Sequence, residues 1–361
     1  MKYKAIGLMS GSSLDGLDIA YVELQQKAIQ WQYKILKSDC FPYHPEWTKK
    51  LTDAIHLSAQ DYLLLNAEYG NYLGEIVNQF IEKNQLKGEV QLIASHGHTT
   101  FHLPQKNMTH QLGDGAALTA RTGISVVSDL RSMDVALGGQ GAPIVPLGEK
   151  LLFPDYHFFL NLGGIANVSI HQNDTIIAFD ICAANRVLNM LANKIELPYD
   201  KGGEIASSGK IHYELLSALN SLDYYIQNFP KSLANSFGVE IIFPLIEQYN
   251  LRIEDALRTY TEHISIQIKK SLFPFSKNEF QNLMITGGGA FNSFLIDCLS
   301  SSLKEINFTI FLPEEEVIFY KEALIMALLG VLRLEGKNTV LSSVTGASKD
   351  SIGGALWLSN D

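Results

Sequence analysis

The sequence has few cysteines, and their placement excludes two common kinds of site. Only Cys40, Cys182 and Cys298 occur among 361 residues, and no two of them form a C-x-x-C pair. We therefore predict neither a cysteine-based zinc site nor a disulfide framework. Such sparse cysteine usage favours a reducing compartment.

The sequence also lacks long apolar runs and an excess of positive charge. No stretch of 18 consecutive apolar residues occurs, and no basic segment followed by a cleavable apolar one opens the chain. We therefore predict no membrane span and a cytoplasmic location. The net charge of −10 argues against nucleic acid or an anionic membrane as a partner. A nucleotide remains compatible with this charge, because one local site can be positive on an acidic protein.

Two familiar nucleotide-binding signatures are missing as well. A Walker loop needs a Lys-Ser/Thr pair after its glycines, and a dinucleotide fold needs G-x-G-x-x-G. The turn at Gly287–Gly289 provides neither pattern. Any triphosphate site must therefore be built from other turns.

Strand-like and helix-like patterns alternate along the chain. Short apolar runs such as 91–94 and 158–162 are typical of buried central strands. This alternation predicts an α/β fold with mixed sheets, and the length suffices for two domains. Ligands in such folds bind at the carboxyl ends of strands. Four glycine turns follow strands in this way, which suits a cleft between two domains.

The first of these turns predicts a hairpin that binds a metal-bound nucleotide triphosphate. Glycine N–H groups and serine hydroxyls are short donors, while Asp15 and Asp18 suit Mg²⁺ bound through water. A polar hairpin without a ligand is the alternative. The residues predicted to bind nucleotide here are Gly11, Ser12, Ser13, Leu14, Asp15, Gly16, Leu17 and Asp18.

The second turn, at 95–102, contains three histidines within seven residues. An H-x-H pattern without a nearby carboxylate or cysteine is a weak metal signal. Hydroxyl and imidazole donors suit an oxygen-rich substrate such as a sugar, whereas a histidine bonded to backbone is purely structural. Downstream, Arg131 stands between acidic residues. It is either ion-paired or the partner of a substrate carboxylate or phosphate.

The remaining turns add backbone donors and one acid. Asn161, Gly163 and Gly164 follow a strand and offer N–H groups to anionic oxygens, within what is also a tight hairpin. Asp180 ends the next strand but one, where a helix begins, so it suits a general base, a metal ligand or a helix cap. The glycines at Gly287–Gly289 allow a flat group or a phosphate to pack against bare backbone.

Together these features resemble the actin-like superfamily of sugar kinases, acetate kinases and heat-shock ATPases. Six motifs, in order along the chain, narrow the resemblance to the anhydro-N-acetylmuramic acid kinase family. They are Gly7–Asp18, Ser95–Thr99, Ala136–Pro143, Asn161–Asn167, Thr286–Ala290 and Val344–Ala347.

This resemblance implies a fold, a reaction and partners. Two actin-like (ribonuclease H-like) domains with mixed sheets would flank an interdomain ATP/sugar cleft. One would comprise 1–122 plus about 341–361, and the other 123–340. The family uses ATP and Mg²⁺ to open 1,6-anhydro-N-acetylmuramic acid with water and to phosphorylate O6. This reaction gives N-acetylmuramic acid 6-phosphate in peptidoglycan recycling, and the family suggests a homodimer.

The resemblance also assigns roles to residues. Asp180 matches the family's general base for the attacking water, and Arg131 matches a position expected to meet the lactyl carboxylate. No residue is assigned as a direct metal ligand, since Mg²⁺ would arrive with ATP near Asp15 and Asp18. The residues expected at the substrate are Ser95, His96, Gly97, Arg131, Asn185 and Glu322.

The chain departs from the family pattern at three places. Cys182-Ala183-Ala184 stands where Gly-Pro-Gly is usual before Asn185, His98 replaces a common Gln, and 231–235 lacks a frequent Gly-Arg-Glu. Two other functions remain open. One is an actin-like nucleotide switch without sugar turnover, and the other is an ATP-independent hydrolase using Asp180 and Glu322 as paired carboxylates.

Overall fold

Strands and helices alternate along the described part of the chain. The computed structural model describes residues 1–11, 14–28, 30–172, 175–229, 231–234 and 236–359. The strands are β1 (Lys2–Ser10), β2 (Gly16–Lys27), β3 (Gln30–Pro42), β4 (Leu92–Ser95), β5 (His98–Leu103), β6 (Met108–Leu112), β7 (Val126–Ser128), β8 (Phe158–Leu162), β9 (Ile165–Gln172), β10 (Thr175–Ala183), β11 (Gln281–Thr286), β12 (Phe308–Phe311) and β13 (Ala355–Trp357). The helices are α1 (Pro45–Asp53), α2 (Ala59–Lys83), α3 (Gly115–Thr122), α4 (Ser132–Ala136), α5 (Val145–Leu152), α6 (Asn185–Asn193), α7 (Glu204–Ser208), α8 (Tyr213–Asn220), α9 (Phe243–Glu247), α10 (Ile253–Leu272), α11 (Ser293–Lys304), α12 (Glu315–Leu334) and α13 (Ser342–Thr345).

Local sequence explains where the longer helices begin and end. Ser58 caps α2 by accepting the N–H of Asp61, and Lys83 lies in its last turn. In α10, Glu254 and Asp255 occupy the first turn and basic residues occupy the last, which complements the helix dipole. Buried residues recur at helical spacing along α2 and α10, so tertiary packing stabilises both helices further.

Two mixed sheets share the order of five strands, and the first sheet adds β13 antiparallel to β7. One sheet runs β13-β7-β4-β1-β2-β3, and the other runs β10-β9-β8-β11-β12. In each, three consecutive antiparallel strands form a meander, and two later strands add in parallel on the side of its first strand. This repeated ribonuclease H-like order confirms the predicted α/β class with mixed sheets.

The chain divides into two compact units. Unit 1 comprises Met1–Pro154 and Tyr320–Asp361, and unit 2 comprises Asp155–Phe319. Tyr320 lies inside α12, where its φ of −116° and ψ of 15° depart from helical values. The predicted cleft between the domains stays a prediction.

These boundaries correct those expected from sequence. The stretch around β7, placed after 122 in the second domain, belongs to unit 1 because β7 pairs with β4 and with β13. The return to unit 1 occurs at Tyr320 rather than near 341, because α12 packs directly on β1. A Cβ added at Gly7 would lie 1.8 Å from the carbonyl oxygen of Ala323.

Each unit has an apolar core of its own. In unit 1, side chains of β1, β2 and α2 pack together, with Ile6, Leu8 and Tyr69 fully buried. In unit 2, strands β8 to β11 pack against α6, α10 and α11, with Leu160 and Tyr260 at the centre. Among the described residues, no helix is both long enough and apolar enough to cross a membrane.

Candidate active site

The first predicted turn joins β1 and β2 in unit 1. Met9 pairs with Asp18 across the hairpin, and Leu14 holds a left-handed φ of 59° within the turn. The predicted nucleotide contacts Ser12 and Ser13 lie outside the described residues. Leu17 is buried in the core, so a ligand would meet its backbone and not its side chain.

Close backbone packing requires glycine at two positions of unit 1. A Cβ at Gly16 would lie 2.7 Å from the carbonyl oxygen of Phe41, so close pairing of β2 with β3 requires glycine there. A Cβ at Gly97 would lie 2.4 Å from the carbonyl oxygen of Leu112, and its φ is +71°. Ser95 accepts the N–H of Gly97 at 3.2 Å. These residues therefore shape the turns, whatever ligand contacts they make.

Acidic side chains of unit 1 interact at the hairpin. The pKa of Asp18 is raised to about 6, mainly by burial; the hydrogen bond with Cys40 opposes this rise, and the charges of Asp15 and Glu322 contribute to it. Burial also raises the pKa of Glu322, against the lowering effect of the Lys321 and Arg131 cations. This acidic cluster is suited to a cation. Among the described residues, however, no group of three or more His, Cys, Asp and Glu side chains is arranged to hold a metal ion.

Arg131 is held by neutral acceptors rather than by an ion pair. Its Nε donates to Nε2 of His96 at 2.9 Å, and its Nη1 donates to the carbonyl oxygen of Gly141 at 2.5 Å. Its Nη2 donates no hydrogen bond to any residue that the structure describes. One edge of the guanidinium therefore remains available for an anionic ligand.

His96 positions Arg131. Its Nδ1 lies 2.8 Å from the carbonyl oxygen of Gly97 and donates to it, which leaves Nε2 as the acceptor for Arg131. Burial and the arginine charge lower the pKa of His96 to about 3, so the ring is neutral. Both ring nitrogens are thus engaged. A contact of His96 with substrate stays a prediction.

Sequence reasoning missed the residue that organises the loop beside Arg131. Asp134 is buried, and its carboxylate accepts the N–H of Gly141 at 2.7 Å and the hydroxyl of Thr345 at 2.6 Å. The loop includes a cis peptide before Pro143. The signal in the sequence that could have found Asp134 is its position three residues after Arg131. The segment 138–143 lies within unit 1.

A buried hydrogen-bonded chain was also missed. Tyr69 and Tyr43 hydroxyls lie 2.6 Å apart, Tyr43 donates to Ser10 Oγ at 2.8 Å, and that oxygen lies 3.1 Å from Nδ1 of His98. Burial lowers the pKa of His98 to about 4. This series of hydrogen bonds connects the end of β1 with the second turn, and it gives the His98 ring a defined orientation.

In unit 2, backbone and side-chain hydrogen bonds hold Asp180. A bulge in β10 opens between Asp180 and Cys182. Oδ2 accepts the N–H of Leu233 at 2.8 Å, while the backbone of Asp180 bonds to Lys231 at 3.0 Å and to the Tyr224 hydroxyl at 2.7 Å. Oδ1 accepts no hydrogen bond from any described residue. It is also not one of the side-chain atoms that are fully buried without a partner. Burial raises the pKa of Asp180, against the lowering effect of the Leu233 bond.

The glycine turns of unit 2 meet at the end of β8. Asn185 donates from Nδ2 to the carbonyl oxygen of Leu162 at 2.8 Å, and its N–H bonds to the Gly163 carbonyl at 3.1 Å. A Cβ at Gly289 would lie 3.0 Å from Asn185 Oδ1. The structure therefore places Asn185 at the glycine turns, with its amide bonded to backbone.

The turns of unit 2 approach each other so closely that Gly287 and Gly289 leave no room for a Cβ. Gly287 has a φ of +84°, and a Cβ there would lie 2.4 Å from Asn161 Oδ1. By contrast, a Cβ at Gly163 or Gly164 would meet nothing closer than 3.4 Å. At these two positions an added Cβ would make only ordinary van der Waals contacts, so the backbone is not crowded. Beside the turns, Phe291 stacks on Phe319 at 4.5 Å between ring centroids, an exposed pair that no sequence signal indicated.

Two units with ribonuclease H-like sheets, glycine turns at strand ends and buried carboxylates define an α/β protein of the actin-like class. Comparison with known proteins identifies the family within that class. The sequence profile of anhydro-N-acetylmuramic acid kinase matches residues 3–359. The kinase of that name from Bacillus cereus is 32% identical over 96% of this chain and 97% of its own. The one from Haemophilus influenzae is 33% identical over 98% and 97%.

The chain belongs to the anhydro-N-acetylmuramic acid kinase family. Among solved structures, a Schistosoma mansoni hexokinase complexed with glucose is similar at 10% identity with a TM-score of 0.45. That similarity covers 91% of this chain and 85% of the hexokinase.

Proposed function

We propose that this chain is an ATP-dependent kinase that opens 1,6-anhydro-N-acetylmuramic acid with water and phosphorylates O6. The product is N-acetylmuramic acid 6-phosphate, an intermediate of peptidoglycan recycling. Family membership supports the activity. The observation that carries the mechanism is the geometry of Asp180, whose Oδ2 is held by Leu233 while Oδ1 remains open.

Asp180 acts on the attacking water. Its free Oδ1 accepts a proton as the water oxygen bonds to C1 and the C1–O6 bond breaks. The released O6 then bonds to the γ-phosphorus of ATP, and ADP leaves. Burial strengthens the carboxylate as a base because it raises its pKa. General base catalysis of this kind contributes about 10²- to 10⁴-fold in rate.

The residues present fit a nucleotide triphosphate. Gly163 and Gly164 expose backbone without a steric obstacle, and Gly11 and Gly287–Gly289 provide further backbone at strand ends. Mg²⁺ bound with ATP neutralises phosphate charge, and the carboxylates of Asp15 and Asp18 suit its water ligands. Phosphoryl transfer depends mainly on such positioning and charge neutralisation.

Arg131 binds the lactyl carboxylate of the sugar in this proposal. Its open guanidinium edge suits a planar anion, and His96 and Gly141 fix the orientation of that edge. Glu322, with its raised pKa, accepts or donates a hydrogen bond to a sugar hydroxyl. A cytoplasmic location and a homodimer are further parts of the proposal, the first because ATP is available there.

The test measures sugar phosphorylation in wild type, Asp180→Asn and Asp297→Asn, which alters an exposed carboxylate on α11. We expect Asp180→Asn to lower kcat by about 10²- to 10⁴-fold while ATP binding is retained. The control should match wild type. In wild type, the acidic limb of the pH–rate profile should lie above the ordinary aspartate pKa, because Asp180 must be ionised to accept a proton.

Three results would contradict the proposal. Equal turnover by Asp180→Asn would remove this residue from the base role. Sugar-bridge opening without ATP would favour a hydrolase. Tight ATP binding without sugar-dependent turnover in wild type would favour a nucleotide switch.

A further inference from the structure

Arg186 lies beside the Gly163–Gly164 turn. The backbone N–H of Arg186 donates to the carbonyl oxygen of Gly164 at 3.4 Å. A Cβ built at Gly164 would lie 3.7 Å from Nε of Arg186 and 3.8 Å from its Cβ. The half-buried side chain therefore runs across the side of Gly164 that glycine leaves open.

The guanidinium of Arg186 has no hydrogen-bond or ion-pair partner within the part of unit 2 that the structure describes. Unit 2 contains two other arginines, and both are paired. Arg252 contacts Asp255 at 3.2 Å, and Arg258 contacts Glu262 at 2.9 Å. A half-buried cation with no counter-charge is costly, so an anion at this place would be favoured.

Lys231 is the cation whose backbone bonds to Asp180, and its side chain is partly engaged. Its Nζ donates to the carbonyl oxygen of Tyr224 at 3.0 Å and lies 4.4 Å from the centre of that ring. Burial lowers its pKa. The guanidinium of Arg186, by contrast, donates to no described residue, so its N–H groups are available to an anion.

We propose that Arg186 binds a phosphate group of the nucleotide at the Gly163–Gly164 turn, with the guanidinium and the bare backbone of the turn facing the same anion. The proposal rests on the ATP site proposed above and adds a side-chain cation to it. A guanidinium matches phosphate geometry through two parallel N–H groups, whereas glycine N–H groups contribute dipoles without net charge.

A second observation agrees with this placement. Cδ of Arg186 lies 3.9 Å from the position of a Cβ on Gly238. The aliphatic stem of Arg186 therefore packs between Gly164 and Gly238, and both contacts lie within unit 2.

The test measures binding of ATP, AMP and adenosine, with Mg²⁺ and without sugar, by calorimetry. The proteins are wild type, Arg186→Ala, Arg186→Lys and the control Arg252→Ala, which removes an equal charge from an exposed position of the same unit. We expect Arg186→Ala to weaken ATP binding by about 10- to 100-fold and to leave adenosine binding unchanged. Arg186→Lys should recover part of the loss, and Arg252→Ala should match wild type.

Two outcomes would overturn the proposal. One is ATP affinity in Arg186→Ala within twofold of wild type. The other is an equal loss for ATP and adenosine, which would indicate a structural role. Failure of the proposed function gives a different result, namely Arg186-dependent ATP binding in a wild-type protein that does not phosphorylate the sugar.

Discussion

At the scale of single residues, environment gives two aspartates distinct properties. Asp180 is held by a backbone N–H, so one oxygen is fixed and the other remains open. Asp18 lies on β2 opposite Met9, where burial and neighbouring carboxylates oppose its ionisation. The residue type alone therefore does not decide the chemistry, because desolvation and the bonded partner set the pKa.

Asp18 should make the stability of the nucleotide-free protein pH-dependent. Its pKa is raised to about 6 in the folded protein, so the folded state binds the proton more tightly than the unfolded chain. This stabilisation is complete below the ordinary aspartate pKa and is lost as the pH rises through about 6. At pH 7.5, Asp18→Asn should therefore raise the free energy of unfolding by about 1–3 kcal/mol.

Urea unfolding at pH 4.5 and pH 7.5 checks this prediction. The gain in Asp18→Asn should be much smaller at pH 4.5, and Asp297→Asn should show no such difference between the two pH values. A variant less stable than wild type at pH 7.5 would contradict it.

At the scale of elements, one glycine sets how closely α12 approaches β1. Gly7 lies in the middle of β1, beneath the backbone of Ala323. On the same helix, Lys321 forms a buried ion pair of 2.7 Å with Glu149 of α5. The following residue, Glu322, lies close enough to Asp18 and Arg131 for its charge to raise the pKa of both side chains. Packing of two elements thus builds the acidic side of the site.

Gly7→Ala should separate α12 from β1. An added Cβ would overlap the Ala323 carbonyl at 1.8 Å, and backbone on both sides cannot move independently. We expect the free energy of unfolding to fall by about 3 kcal/mol or more, measured by urea unfolding. Gly288→Ala is the matched control, since the nearest atom there is 3.8 Å away. It should change stability by less than about 1 kcal/mol, and an equal loss in both variants would refute the steric explanation.

At the scale of the whole molecule, the two units differ in how the chain builds them. Unit 2 is continuous, and every residue of its core lies between Phe158 and Ile318. Unit 1 is discontinuous, because β13 pairs with β7 and α12 packs on β1. Its first segment alone would leave apolar strand surface uncovered.

We therefore expect a fragment of residues 155–319 to fold by itself. Its far-ultraviolet circular dichroism should show helix and strand, and its thermal unfolding should be cooperative. A fragment of residues 1–154 should aggregate or remain unfolded, because it lacks α12 and β13. Cooperative folding of the shorter N-terminal fragment would contradict this assignment.

Much of the fold and part of the site were predictable from local patterns. Short apolar runs and glycine turns located the central strands, and alternation predicted the mixed sheets. The boundary near 122 was wrong because nothing local to β7 shows that its partners are β4 and β13. Asp134 and Tyr224 were missed since their bonds reach distant residues, such as Thr345 and Asp180.

The sequence by itself determined the α/β class, the family and the positions of the glycine turns, because these depend on residue type and spacing along the chain. Only the tertiary structure decided that His96 orients Arg131, that a backbone N–H holds one oxygen of Asp180, and that Arg186 lies beside Gly164. Each of these depends on residues that are distant in sequence and adjacent in space. Burial and hydrogen bonding at such contacts set charge and orientation, and neither can be read from local sequence.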